Sequence, residues 1–160
     1  MSFTDNFGNP KGLLGRMMLV SMDREHLPMA QWALKQIRIP DNGTVADLGC
    51  GGGYNIKRML DMSTKANFIG LDISDEIVKK AQKVNHDEIG KRVKIIKGSA
   101  ENLTFKDNSI DLITAFETVF FWKKPEKAFR DIYRSLVNGG FFAVINNYGD
   151  PNVDWEKKVP

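Results

Sequence analysis

The chain has 160 residues, 42% hydrophobic and 27% charged, which fits one domain with a core of useful size. Its single cysteine excludes an internal disulfide and points to a reducing, cytoplasmic setting. The net charge of +3 falls short of a nucleic-acid footprint, residues 1–9 lack a secretory signal's apolar run, and no apolar stretch nears the roughly 18 residues of a membrane span, so neither nucleic acid nor membrane is expected as a partner.

Residues 12–22 carry Leu13, Leu14, Met17, Met18 and Leu19 at helical spacing. A second helix is expected over 24–37, with Pro28 tolerated in its first turn. After the turn Pro40-Asp41-Asn42-Gly43, strands and helices alternate. Strands are expected at 44–48, 67–71, 93–96, 110–115 and 141–145. Helices are expected at 54–62, at 75–86 with Ser74 as N-cap, and at 125–136. Pro125 opens the last helix, and Asn138-Gly139-Gly140 closes it. This order predicts an α/β fold, a Rossmann-like doubly wound parallel sheet with helices on both faces. Ligands of such sheets bind at the carboxyl ends of the strands.

The loop after the first strand is Asp47-Leu48-Gly49-Cys50-Gly51-Gly52-Gly53, and the next strand ends at Asp72, about 20 residues on, where an acid can bind ribose hydroxyls. A dinucleotide and S-adenosylmethionine both suit that pattern. Tyr54 occupies the third glycine position of the dinucleotide fingerprint. Asp47 would repel a pyrophosphate but attract the ammonium and sulfonium of S-adenosylmethionine. An NAD-dependent oxidoreductase is therefore the second choice, and a non-catalytic S-adenosylmethionine-binding module the third.

The string from Val45 to Gly53 resembles motif I of class I S-adenosylmethionine-dependent methyltransferases. Gly70-Leu71-Asp72-Ile73-Ser74 resembles that family's acidic strand end, Gly98 to Leu103 its adenine-framing segment, and Leu136-Val137-Asn138-Gly139-Gly140 its turn before strand five. The match is nearest the ubiquinone and menaquinone methyltransferase branch. It implies an enzyme with S-adenosylmethionine as cofactor and a small-molecule methyl acceptor. It also implies roles. Asp47, Gly49 and Gly51 would hold the methionine part, with Cys50 in the same loop. Asp72 would accept from the ribose hydroxyls, Ile73 would pack on adenine, and Ala100 and Glu101 would lie beside it. Ser99 stands where many relatives have an Asp that accepts from the adenine amino group, so that bond would lose its charge assistance.

Methyl transfer rests mainly on proximity and orientation, and a general base is needed only where the acceptor loses a proton. Glu117, just after the fourth strand, is open to four readings: substrate orientation, the cofactor ammonium, a base, or a helix-start carboxylate. Phe116, Val119, Phe120, Phe121 and Trp122 wall an acceptor pocket or, by preference, fill the core. His26 sits on an N-terminal helix that could lid the cofactor or, by preference, is a helical surface histidine, and His86 reads as a helix-end partner of the dipole. Cys50 has no histidine beside it in sequence, and two histidines with one cysteine argue against a metal site. Asn146-Asn147-Tyr148 lacks the prolines of nucleic-acid amino-methyltransferases.

The expected layout is N-terminal helices over 1–40 acting as a lid, a cofactor-binding domain over 41–150, and a tail over 151–160. The family's strands after the fifth are expected to be missing. That would leave 141–145 as an apolar edge, calling for a longer chain or for a partner such as a second copy in a homodimer.

Overall fold

The computed structural model describes residues 12–147, with side chains from residue 24 onward. The readings of residues 1–9 and of the tail at 151–160 lie outside the described residues. Five parallel strands form one sheet in the order β3-β2-β1-β4-β5. They are β1 Thr44–Leu48, β2 Asn67–Asp72, β3 Val93–Lys97, β4 Ile110–Phe116 and β5 Leu136–Ile145. The helices are α1 Gly12–Gln36, α2 Tyr54–Leu60, α3 Asp75–Val84 and α4 Pro125–Ser135.

β1 and β4 are central, and the period-two alternation of a strand divides their side chains between two faces. Val45 and Leu112 join α1, α2 and α3 through Ala33, Ile56, Met59 and Ala81. Ala46, Leu48 and Ile113 face Ile132 of α4 and the short 3₁₀ turn at Ala100–Asn102. Both faces are therefore covered, as a parallel sheet requires. The Rossmann-like doubly wound class expected from the sequence is the observed one.

Most ends fall within two residues of expectation, and the larger differences are at the N-terminal helices and at the start of β5. The two N-terminal helices are one, running from Gly12 to Gln36 with Pro28 inside. No glycine or second proline interrupts residues 18–27, so losing one main-chain donor at Pro28 costs less than a break. α4 stops at Ser135, because Leu136 already pairs with Ile110. Between that bridge and the pairing of Leu112 with Phe141 the register slips. Residues 137–140 bulge outward there, with Gly139 at φ +83°, so the expected turn survives inside the strand. Ser74 does occupy the N-cap of α3, but its side chain caps nothing.

Candidate functional site

The carboxyl ends of β1, β2 and β4 open into a cavity of about 420 Å³. The hydrogen bonds of the glycine loop explain its floor. The N–H groups of Gly49 and Cys50 both donate to the Leu71 carbonyl, at 2.7 and 3.0 Å, which folds the loop over the end of β2. Gly49 takes φ +70°, and a Cβ there would stand 2.5 Å from Thr118 Oγ1. Gly51 takes φ +52° with no atom within 4 Å of where its Cβ would be, so the loop stays open toward the cavity. The far end of the loop is held by Asn85, whose buried Nδ2 donates to the Gly53 carbonyl at 3.0 Å. Its Oδ1 has no hydrogen-bond partner among the described residues.

Asp72 ends β2 beside this loop. Its Oδ2 accepts from Gly51 N–H and its Oδ1 from Ser74 N–H, both at 3.1 Å. A carboxylate has about four acceptor positions, so roughly two remain. Burial raises its pKa, and the backbone donors partly offset that. Asp47 lies deeper, beside Thr114 in the register of β1 and β4. Thr114 Oγ1 donates to its Oδ1 at 2.8 Å. Burial pushes its pKa up to about 7, the Thr114 hydroxyl lowers it, and the charge of Asp72 raises it further. A cation placed here would be bound by a carboxylate that currently lacks one.

The other expected residues fall as follows. Ile73 is 54% exposed at the rim. Ala100 is buried in the wall, and Ser99 Oγ caps the 3₁₀ turn by accepting from Glu101 N–H at 3.1 Å. One hydroxyl lone pair is thus already used. The Glu101 carboxylate accepts from the Lys124 backbone N–H. It ties the segment after β3 to the start of α4 rather than projecting freely. Cys50 is buried, and burial together with Asp47 and Asp72 raises its thiol pKa well above the ordinary value. That rules against a thiolate nucleophile.

Glu117 lines the cavity but in a left-handed conformation, φ +53°. Its N–H donates to the Ile145 carbonyl at 2.8 Å, and its carboxylate accepts from Asn147 N–H. It closes the ends of β4 and β5 together, a role outside the four readings given for it. The aromatic run is not one core element. Phe116 is buried, and Trp122 joins Phe129 and Phe142 at centroid distances of 6.0 and 6.3 Å. Phe120 and Phe121 are half exposed, with Phe121 at the cavity mouth. Glu117 and Thr118 separate Phe116 from the other four, and the chain then turns through a 3₁₀ helix at Val119–Phe121 that buries none of its residues. His86 accompanies the end of α3 as expected, within 3.1 Å of the Lys83 carbonyl.

Sequence reasoning passed over Tyr54, Asn55 and Arg58 of α2 as site residues, and with them Lys123, which all line the cavity. It preferred a surface place for His26 over a lid on the cofactor, whereas His26, Met29 and Ala30 of α1 line the cavity. The period of α1 could have flagged this, because Ala30, Ala33 and Leu34 are buried and His26 stands one turn before Ala30 on that face.

These features fit a nucleoside that carries a cationic tail. The cavity has the volume of an ordinary small-ligand site, an acid with spare acceptors at one strand end, a second acid short of a cation, and an apolar rim. A parallel sheet with a glycine loop after β1 and an acid after β2 thus defines a nucleoside-binding α/β protein. The family described as methyltransferase domain matches residues 46–144. The chain is similar to an uncharacterized methyltransferase YdaC of Bacillus subtilis, 27% identical over 85% of this chain and 74% of that one. It is 34% identical to a demethylmenaquinone methyltransferase of Lactiplantibacillus plantarum, over 71% of this chain and 49% of that one. Among solved structures, a Methanococcus maripaludis protein described as a putative S-adenosylmethionine-dependent methyltransferase superposes with TM-score 0.68 and 30% identity, over 79% of this chain and 61% of that one. A Haloferax volcanii putative methyltransferase in complex with the Trm112 activator superposes with TM-score 0.74 and 28% identity, over 79% of this chain and 55% of that one. The chain belongs to the class I S-adenosylmethionine-dependent methyltransferases. It spans about half the length of several of the proteins it matches.

Proposed function

We propose that this chain transfers the methyl group of S-adenosylmethionine to a small-molecule acceptor. The observation that carries this reading is Asp72, fixed by two backbone donors with its remaining lone pairs free beside an open glycine loop. Those lone pairs suit the two ribose hydroxyls. Ile73 supplies an apolar face for the adenine, Ala100 lines the same cavity, and Ser99 contributes its free lone pair in place of an acid. Gly49 and Gly51 let the methionine part approach the backbone, and Asp47 balances its ammonium. Cys50 is a packing residue of the loop, filling space beside Gly70. Glu101 and Glu117 hold the cavity's walls through the main-chain bonds described above. α1 serves as the lid.

When bound, the sulfonium supplies a methyl carbon already activated toward displacement. The chain's own residues then bind, orient and exclude water, the main contributions such a reaction needs. A small acceptor is favoured because the cavity holds about 420 Å³ and Met29, Phe121 and Trp122 give it an apolar lining. The similar proteins named for demethylmenaquinone and sterols are in keeping with it. Among the described residues, no helix is long and apolar enough to cross a membrane.

Calorimetric titration with S-adenosylhomocysteine and with NAD tests the reading. S-adenosylhomocysteine should bind and NAD should not, and Asp72→Ala should weaken binding at least about tenfold, since two hydrogen bonds to a charged group are lost. Preference for NAD would overturn the proposal.

A further inference from the structure

The methyl acceptor's chemistry is narrowed by which titratable group in the cavity has no other task. Asp47 is held by Thr114, Asp72 by the Gly51 and Ser74 amides, Glu101 by Lys124 N–H and Glu117 by Asn147 N–H. The Tyr54 ring is turned under Lys80, whose Nζ lies 5.5 Å from its centroid. His26 is different. Its imidazole is half buried in the cavity wall, and among the described residues it makes no hydrogen bond or ion pair. α1 lies against α2 and β5, and His26 lines the same cavity as Asp47 and the glycine loop. A half-buried imidazole without a partner loses the hydrogen bonds water would give it, a cost that a bound molecule supplying a donor removes.

We infer that His26 takes the acceptor's proton, and that the acceptor is methylated at an N–H, an O–H or an acidified C–H group. This rests on the methyltransferase reading. The balance is complete with no further reactant. The proton passes from the acceptor atom to a ring nitrogen of His26, and the electron pair left behind forms the new bond to the methyl carbon. The carbon–sulfur pair returns to sulfur. One positive charge disappears at sulfur and one appears on the imidazolium. An acceptor that attacks without losing a proton, such as a thioether or a tertiary amine, has no use for this group.

The test needs no acceptor. The chain has two histidines, and exposed His86 serves as an internal control. Ring signals of both are followed by NMR as a function of pH, with S-adenosylhomocysteine bound and then with sinefungin, which carries an ammonium where the methyl sulfonium stands. The charged groups facing the cavity with His26 are Asp47, Asp72, Arg58, Glu101, Glu117 and Lys123, with Arg24 and Glu25 beside it on α1. All are common to the two complexes and cancel in the comparison. A histidine facing the transferred methyl should show its midpoint lower by about one unit with sinefungin, the effect of a like charge a few ångströms away. His86 should not move. Equal midpoints in the two complexes would overturn the inference. So would a His26→Asn variant that loses both ligands more than about tenfold, because His26 would then be a cofactor ligand. Failure of both ligands to bind the unaltered chain would instead refute the cofactor reading, and calorimetry reports that separately.

Discussion

At the scale of single residues, Asp47 makes the clearest demand. Its carboxyl has a pKa of about 7 in the folded chain against an ordinary value of 3.8, chiefly because it is buried. The folded state therefore holds this proton more tightly than the unfolded state does. Stability from this group is full below pH 4 and is lost as pH rises toward 7, in total about 4 kcal/mol. Asp47→Asn keeps an acceptor for Thr114 and removes the titration. In urea unfolding it should be more stable than the unaltered chain above pH 7 and about equal to it near pH 4. A cationic ligand reverses the balance, because it favours the ionised carboxylate. Binding of S-adenosylhomocysteine near pH 6 should therefore release close to one proton, read from calorimetry in buffers of different ionisation enthalpy. Asp47→Asn should release none. A proton count of zero for the unaltered chain would place the ammonium elsewhere.

At the scale of elements, the glycine loop separates two effects that sequence alone merges. Both Gly49 and Gly51 are left-handed, but only Gly49 is crowded, by Thr118. Gly49→Ala should cost about 2–3 kcal/mol, the conformational penalty plus the displaced threonine. Gly51→Ala should cost only about 1 kcal/mol of stability while projecting a methyl group into the cavity, so its main loss should be in S-adenosylhomocysteine affinity. Thermal melts and calorimetry on the two variants check this, and equal effects on both measurements would refute it. Much of the element pattern was legible because parallel strands are short apolar runs bounded by turn residues, and β1 matches its expected bounds. The glycine loop and Asp72 were legible for the same reason, since each follows a strand end. What was not legible depends on contacts distant in sequence. Asn85 anchors the loop from 32 residues away, and Thr114 reaches Asp47 across 67. Neither spacing carries a period, so only the register of the finished sheet reveals them. The tasks of Glu101 and Glu117 were hidden likewise, since their partners are backbone groups of other elements.

At the scale of the whole molecule, the two edges of the sheet are unlike. β3 exposes Lys94 and Lys97, and Lys97 is paired with Asp75 at 2.6 Å. Charges of this kind discourage an edge strand from pairing with another chain. β5 has none from Phe141 to Ile145, and Phe141 and Val144 are 42% and 44% exposed there. Among the described residues, one edge of the sheet is protected by charge and the other, β5, is not. A second copy can meet it about a two-fold axis, with β5 antiparallel to β5, because such a contact is self-complementary and closes on itself. Val144→Lys places a charge at the centre of that contact and leaves the cavity untouched. In sedimentation velocity the unaltered 160-residue chain should associate as its concentration rises, and Val144→Lys should remain monomeric with S-adenosylhomocysteine affinity unchanged. If the unaltered chain is monomeric at every concentration, β5 does not join copies of this chain. If Val144→Lys associates as the unaltered chain does, copies meet through another surface and β5 is not the contact. Loss of ligand affinity in Val144→Lys would show instead that the β5 edge and the ends of β4 and β5, joined through Glu117, respond as one unit.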